Sequence, residues 1–228
     1  MGGFGLLFVR DYETVEEIIS VGEILKNIKP GNKVIVYAVW GDLTGIFCLE
    51  DRFNLCINMV VPVGSFFHVG FSDYLYIDSY RFLHKLKRRD VVYFSPIADW
   101  GTTSYSAVKK TLAEVGNRTD STTIIYGVGG IVLYTIQIMK VLAPMIPIIA
   151  VSRKDEKLRY AEKLGTDIAI RPIELEQTVK SFTSYDGKIS AIDLVGSKES
   201  LNNISKSLYS RANSSVVLVG LRGSEGTF

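Results

Sequence analysis

The sequence predicts an α/β protein with a doubly wound parallel sheet in its second half, and residues 122–157 carry this prediction. They open with the β-prone run Ile124-Ile125-Tyr126, and glycines follow at once, so the chain turns where a parallel strand would end. An apolar helix, a second strand over residues 146–151 and a polar turn come next. This order is typical of the phosphate-binding half of a dinucleotide-binding fold.

The turn Gly127-Val128-Gly129-Gly130 is the predicted contact for the pyrophosphate of a dinucleotide. Gly127 permits the sharp turn, and Gly129 lacks a Cβ, so a pyrophosphate can approach the unpaired N–H groups that open the next helix. The third position of the G-x-G-x-x-G pattern is normally Gly or Ala, and here it is Val132. A glycine cluster also fits a plain turn, but the flanking strand and helix and a second strand about 20 residues later favour the cofactor site.

The end of the second strand indicates which nicotinamide cofactor is bound. An NAD-preferring site has a carboxylate here for the ribose hydroxyls, whereas this sequence has Ser152-Arg153. A small hydroxyl followed by a guanidinium suits a ribose 2′-phosphate, because the guanidinium donates two charge-assisted hydrogen bonds and no acid repels the phosphate. We therefore expect NADP(H) in preference to NAD(H), with Lys157 also at the site. The alternative is that Arg153, Lys154 and Lys157 form an ordinary solvated turn.

Three further strands complete the predicted parallel sheet, at residues 167–170, 192–196 and 215–219. Thr102, Thr103 and Ser104 begin a helix ahead of the glycine turn, and its apolar residues at helical spacing end near Gly116. Ligands bind at the carboxyl ends of the strands in such sheets, so we expect Gly220-Leu221, which ends the fifth strand, to lie at the cofactor.

The first part of the chain predicts a small β-rich domain. Apolar residues between positions 15 and 21 suggest a strand closed by Gly22, and residues 34–37 suggest another after the Pro30-Gly31 turn. With 228 residues, 47% of them hydrophobic, the chain can bury a core and form one or two domains.

Composition and charge exclude several kinds of partner. The net charge is +2 and there is no basic block of the kind that tracks nucleic acid, so we expect no nucleic-acid partner. The acid-free run over residues 124–151 is interrupted by glycines, Pro144, Pro147 and Lys140, so we expect no membrane span. With two cysteines and no charged leader or cleavage site, we expect a cytoplasmic protein without a signal peptide.

Six short motifs follow one another along the chain: Val21-Gly22, Ile28-Lys29-Pro30-Gly31-Asn32-Lys33-Val34, Cys48-Leu49-Glu50-Asp51-Arg52-Phe53-Asn54-Leu55-Cys56, Gly70-Phe71-Ser72-Asp73-Tyr74-Leu75, Ala98-Asp99-Trp100-Gly101-Thr102-Thr103-Ser104 and Gly127-Val128-Gly129-Gly130. Together and in this order they resemble the zinc-type medium-chain alcohol dehydrogenases, and the loops look most like those of archaeal members. The resemblance runs from about residue 11 to about residue 222.

The resemblance implies a GroES-like β-rich catalytic domain, residues 1–95, followed by a Rossmann doubly wound parallel sheet, residues 96–228, that lacks its last strand. In the family that strand pairs across the subunits of a homo-oligomer. We expect the chain to lack it and the family's first segment as well, and to be truncated at both ends.

The resemblance also implies two metal sites, the first of which is catalytic. In the family a catalytic zinc is held by an early Cys, the His of a Gly-His-Glu motif and a later Cys or Asp, with one position open for the alcohol oxygen. The motif falls on Asp11, Tyr12 and Glu13, so the histidine is lost and Glu13 remains. Asp99 stands at the last ligand position. Glu13 and Asp99 are therefore candidate ligands in an incomplete set.

The second implied site is structural. In the family four thiolates with the spacing C-x2-C-x2-C-x7-C hold a zinc, and the corresponding positions here are Asp42, Gly45, Cys48 and Cys56. Gly45 offers no ligand atom, so Asp42, Cys48 and Cys56 are the expected ligands. The alternative is a metal-free lobe with two free thiols.

By the same resemblance, Thr103 lies against the nicotinamide beside Asp99, and Val195-Gly196 lies against the cofactor ribose. Three functions remain open. The sequence favours an oxidoreductase that transfers hydride between NADP(H) and a small alcohol or aldehyde. The others are a zinc-free reductase of the quinone-oxidoreductase type and a degenerate, truncated paralogue that binds nucleotide with little or no catalysis.

Overall fold

The chain divides into two units in the computed structural model, Met1–Asp99 and Trp100–Phe228. The structure describes residues 13–22, 27–58, 72–87, 92–116, 120–183, 186–209 and 213–220. Within these ranges no helix combines the length and the apolar character that crossing a membrane requires.

The first unit contains three antiparallel strands, β1 (Val15–Glu17), β2 (Lys33–Val36) and β3 (Leu83–Lys85), with the second strand in the middle. A short helix, α1 (Ile46–Leu49), and 3-10 turns at Phe53–Leu55, Tyr80–Phe82 and Val92–Ala98 accompany the strands. The β-rich character that the sequence predicts therefore comes from short strands and turns.

The first strand is shorter than the sequence predicts, since it ends at Glu17 and does not reach Gly22. Beyond it, Ile18 N donates to Asn32 O at 2.9 Å, and Ile18 O accepts from Gly31 N at 2.7 Å. These bonds hold Ile18 to the Pro30-Gly31 turn, and the residues that follow Ile18 are not part of the sheet.

The core of the first unit is aromatic and contains both cysteines. Trp40 stacks on Phe82 with ring centroids 5.3 Å apart, and Phe53 meets Phe82 edge-on at 5.1 Å. Cys48 and Cys56 are buried in the same cluster. The two thiols are therefore shielded from solvent by packing.

Five parallel strands form the sheet of the second unit: β4 (Thr122–Tyr126), β5 (Ile148–Val151), β6 (Ile168–Ile170), β7 (Ile189–Asp193) and β8 (Ser214–Leu218). Their order in the sheet is β6-β5-β4-β7-β8. The helices are α2 (Trp100–Val115), α3 (Gly130–Leu142), α4 (Asp155–Lys163), α5 (Leu175–Phe182) and α6 (Lys198–Leu208), and a 3-10 turn spans Pro172–Glu174. The predicted doubly wound parallel sheet is confirmed.

Both faces of this sheet are covered, because the central strand β4 is buried along its whole length. Ile125 packs in one cluster with Val132 and Ile136 of α3, whereas Ile124 packs in the opposite cluster with Val179 of α5. Successive strand side chains point to opposite faces, which explains the unbroken apolar run. The order of the strands reverses beside β4, and doubly wound sheets bind ligands in the crevice at such a reversal.

Several element boundaries in the second unit differ from the prediction: β5, β6 and β8 differ by one or two residues, and β7 and α2 differ as follows. The fourth strand is not at residues 192–196 but ends at Asp193, because the Asp193 carboxylate accepts hydrogen bonds from Val195 N and Gly196 N and turns the chain out of the sheet. Helix α2 begins at Trp100 and not at Thr102.

Candidate functional site

Two cavities lie at the carboxyl edge of the parallel sheet. The first, about 300 Å³ and termed the arginine cavity, is lined by Tyr126, Gly127, Val128, Val151, Ser152, Arg153, Lys154, Lys157, Pro172, Val195, Ser197 and Glu199. The second, about 470 Å³ and termed the glycine cavity, is lined by Gly127, Val128, Gly129, Gly130, Ile131, Val132, Leu194, Val195 and Gly220. Gly127, Val128 and Val195 line both cavities, so the glycine turn joins them.

Two of the three glycines in this turn leave no room for a side chain. Gly127 has φ +94°, and a Cβ there would overlap the Val195 side chain, while a Cβ at Gly130 would overlap the Trp100 ring. At Gly129, by contrast, an added Cβ would meet nothing within 4 Å. Gly129 caps α3, so the N-terminus of this helix opens on the glycine cavity, where its N–H groups and dipole suit a pyrophosphate.

Val132 occupies the third position of the glycine pattern because it belongs to the core. It is fully buried and packs in the cluster that contains Ile125 and Met139. The departure from Gly or Ala therefore leaves the turn itself unchanged.

The turn after β5 brings the predicted phosphate-binding residues to the arginine cavity. Ser152 is buried, and its Oγ accepts a hydrogen bond from Lys154 N at 3.4 Å. Arg153 is exposed, and its Nη1 lies 3.8 Å from Glu199 Oε2. Lys154 and Lys157 line the same cavity. One hydroxyl and three cationic side chains thus meet at the edge where the sequence predicts a ribose 2′-phosphate.

Sequence reasoning missed Tyr126, Pro172 and Glu199, which also line this cavity. The signal for Glu199 was its place at the start of α6, directly after β7, since the loop that follows each parallel strand opens at the same edge. The Tyr126 hydroxyl accepts a hydrogen bond from Asn203 Nδ2 at 2.9 Å, and burial raises the pKa of Tyr126.

The buried carboxylate of Asp193 fixes the edge beside these residues. Its Oδ1 accepts from Val195 N at 2.9 Å and Gly196 N at 3.1 Å, and its Oδ2 accepts from Ser200 Oγ at 2.7 Å. Ser197 Oγ accepts from Ser200 N at 3.0 Å and caps α6. The predicted ribose contacts Val195 and Gly196 are therefore held by the same carboxylate that anchors the start of α6.

Gly220 closes the same edge. Its N–H donates to Asp193 O at 3.0 Å, and a Cβ there would lie within 3 Å of the Leu194 and Val195 backbone. It lines the glycine cavity, as expected for a residue at the end of the fifth strand. Leu221, predicted with it, lies outside the described residues.

The residues predicted to act in the reaction are Asp99, Thr103 and Glu13, and each is described within its own unit. Asp99 is the last residue of the first unit, Thr103 lies in the first turn of α2, and both are half-buried. Glu13 is half-buried just before β1. Among the described residues, neither Glu13 nor Asp99 belongs to a group of three or more His, Cys, Asp or Glu that could hold a metal ion. Their roles stay predictions.

Asp42, Cys48 and Cys56 do form such a group, with ligand atoms within 4.8 Å of one another. Both thiols are free and buried. A Cβ at Gly41 would overlap Cys48 Sγ, so glycine is needed where the backbone passes the thiols. Burial, followed by a hydrogen bond to Cys56, raises the pKa of Cys48 to about 11. In the absence of a metal this sulfur therefore keeps its proton.

The carboxylate of Asp42 is oriented by the local backbone. Its Oδ1 accepts from Gly45 N and Thr44 N, each at 3.0 Å, and its Oδ2 accepts from Asn58 Nδ2 at 2.9 Å. These bonds, with Gly45 first, lower the pKa of Asp42. One oxygen and two sulfurs suit zinc, but Gly45 adds only a backbone N–H, so the set is one ligand short of a closed tetrahedral site.

Comparison with known sequences places these features among the dehydrogenases. Residues 130–228 match the family model described as zinc-binding dehydrogenase. The chain is 38% identical over 221 residues to the D-arabinose 1-dehydrogenase (NADP(+)) of Saccharolobus solfataricus, with 97% of this chain and 62% of that protein covered. It is 28% identical over 198 residues to an NAD-dependent alcohol dehydrogenase of Sulfolobus acidocaldarius, with 87% and 56% covered. The chain thus spans less than two thirds of the length of these curated relatives.

Solved structures of dehydrogenases also superpose on this chain. The D-arabinose dehydrogenase from Sulfolobus solfataricus superposes with a TM-score of 0.84 and 33% identity, over 96% of this chain and 74% of that one. The alcohol dehydrogenase of Thermus sp. ATN1 superposes with a TM-score of 0.79 and 23% identity, over 96% and 63%, which shows the shared fold.

Proposed function

The chain belongs to the zinc-type medium-chain alcohol dehydrogenase family, and on this premise we propose that it transfers hydride between NADP(H) and a small alcohol or carbonyl compound. The arginine cavity is the observation that carries the proposal, because Ser152, Arg153 and two lysines line it at the end of β5. A guanidinium and ammonium groups stabilise a ribose 2′-phosphate, and the D-arabinose 1-dehydrogenase relative is named for NADP(+).

We assign the two cavities to two parts of one cofactor. The arginine cavity takes the phosphorylated ribose, and the glycine cavity takes the pyrophosphate against the N-terminus of α3. Gly127 lines both cavities, so one cofactor can extend from one cavity into the other across the turn. Both cavities lie at the carboxyl ends of the strands, where this fold binds dinucleotides.

Bound NADP(+) supplies the hydride acceptor, and the residues of this chain supply position and charge. Thr103 contacts the nicotinamide and Asp99 lies beside it, as the family resemblance implies. Glu13 and Asp99 do not make up a three-ligand catalytic zinc site among the described residues, so we assign no step to a metal there. For the lobe site, we propose that Asp42, Cys48 and Cys56 hold zinc, which would cross-link the loop over residues 42–56.

Binding and turnover of the purified chain test the function. Calorimetric titration should show tighter binding of NADP(+) than of NAD(+), and NADPH should form with D-arabinose or with a member of a panel of primary and secondary alcohols. NADP(+) binding without turnover on any substrate would instead support the nucleotide-binding paralogue. If the chain binds neither NADP(+) nor NAD(+), the proposed function is wrong. Metal analysis of the same sample tests the lobe site separately.

A further inference from the structure

Glu199 is a carboxylate at the proposed cofactor site that the sequence analysis missed. It lies in the first turn of α6, which the Ser197 cap and the Ser200 bond to Asp193 hold at the end of β7. Its Oε2 lies 3.8 Å from Arg153 Nη1, and both side chains are more than half exposed. The pair therefore links the loop that follows β5 with the start of α6.

The ion pair stands between two cavities. Arg153, Pro172 and Glu199 line the arginine cavity and also a third cavity of about 370 Å³, whose other lining residues are Arg171, Ile173 and Asn203. The Arg171 guanidinium is held by Asp155, with Nη2 2.7 Å from both carboxylate oxygens. Of the two guanidinium groups here, Arg153 has the longer and weaker ion pair, so it is the one more readily turned toward a ligand.

Two ligands would meet Glu199 differently. A 2′-phosphate on Arg153 must replace the carboxylate and then lies close to its negative charge, which weakens phosphate binding. An unphosphorylated ribose presents hydroxyl donors instead, and a carboxylate accepts them, as the acid at the end of the second strand does in NAD-preferring sites. In this chain the second strand ends in Ser152-Arg153, so the carboxylate comes from α6.

We propose that Glu199 is a specificity-determining residue that competes with the ribose 2′-phosphate for Arg153 and accepts hydrogen bonds from the ribose hydroxyls of NAD(H). Arg153 and Glu199 then set the preference for NADP(H) together, one raising it and the other lowering it. This inference rests on the proposed cofactor site and deepens it.

The test measures the ratio of NADP(+) affinity to NAD(+) affinity. Glu199→Gln keeps the size of the side chain and removes its charge, so it should tighten NADP(+) binding by about three- to tenfold and leave NAD(+) binding equal or weaker. Glu176→Gln is the matched control: the Glu176 side chain is about half exposed, pairs with Lys180 and lines none of these cavities. It makes the same change in net charge and should shift neither affinity. Circular dichroism of both variants confirms folding.

Adenosine 2′-monophosphate and adenosine 5′-monophosphate serve as fragment probes, because they test the arginine cavity without the nicotinamide. If the wild-type chain binds NADP(+) and Glu199→Gln leaves the ratio of NADP(+) to NAD(+) affinity unchanged, the role of Glu199 is overturned. The proposed function then still stands. Tighter binding of both cofactors alike would also overturn the role of Glu199, since that is a general charge effect. Wild-type chain that binds neither NADP(+) nor the 2′-monophosphate would overturn both.

Discussion

The glycine cavity and the lobe around Asp42, Cys48 and Cys56 are built from different kinds of chemical group. The glycine cavity depends largely on backbone: the positive φ of Gly127, the helix N-terminus at Gly129 and the hydrogen bonds that the amides beside the cavity donate to Asp193. The lobe depends on side-chain ligand atoms at fixed spacings, and Gly45 leaves one position without a ligand. Backbone geometry tolerates many side-chain changes, whereas a ligand set is altered by a single one.

The largest effect is expected where a side chain is placed on the backbone-built site. In Gly127→Val the β-branched residue must adopt φ near +94° and overlap Val195, which should cost about 3 kcal/mol or more of unfolding free energy and abolish NADP(+) binding. Denaturant unfolding and calorimetry measure the two losses. Gly129→Ala is the control, because its Cβ meets nothing within 4 Å. It should fold nearly as well as the wild type and bind the cofactor more weakly.

Adding a fourth metal ligand to the lobe should strengthen zinc binding. Gly45 has φ −67° and ψ 157°, and a Cβ there lies 3.6 Å from Asp42 Oδ1, so a cysteine fits. Structural zinc peptides bind with roughly 10–16 kcal/mol over four ligands, so Gly45→Cys should raise zinc affinity by about 100-fold. Competition with a chromogenic chelator measures the affinity, and Gly45→Ser is the control. Equal affinity in the cysteine and serine variants would show that the lobe does not position a fourth ligand.

Removing one side chain from the cavities should change specificity and not stability. Arg153→Ala deletes an exposed guanidinium, so the unfolding free energy should change little. NADP(+) affinity should fall by about 10- to 100-fold, the range expected for charge-assisted hydrogen bonds, while NAD(+) affinity stays within about twofold. A parallel loss of both affinities would place Arg153 outside phosphate recognition.

The smallest effect is expected at Tyr126. Tyr126→Phe removes the bond with Asn203 and should cost about 1 kcal/mol of unfolding free energy near neutral pH. Burial raises the pKa of Tyr126 above the ordinary value of 10.0. The stabilisation that the neutral hydroxyl gives to the folded state is therefore complete below pH 10.0 and is lost as pH rises through the raised pKa. Unfolding measured across this alkaline range should show a smaller pH dependence in the variant. Equal slopes would mean that another group titrates there.

Local patterns explain which features could be predicted. The glycine turn and Ser152-Arg153 each directly follow a short apolar run that is typical of a strand. Their place at a strand end could therefore be predicted from the local sequence. Glu199 could not be found in this way, because it meets Arg153 only through the pairing of β5 and β7 with β4. The early end of β7 was missed for a similar reason, since the buried Asp193 carboxylate competes with strand pairing for the amides of Val195 and Gly196.

The two tryptophans of the chain fall one in each unit. Trp40 stacks on Phe82 beside the buried thiols, and the Trp100 ring occupies the space that a Cβ at Gly130 would need. Their fluorescence therefore separates into two local signals. Trp40→Phe would leave an emission that reports on the start of α3, and Trp100→Phe would leave one that reports on the aromatic core around Cys48 and Cys56.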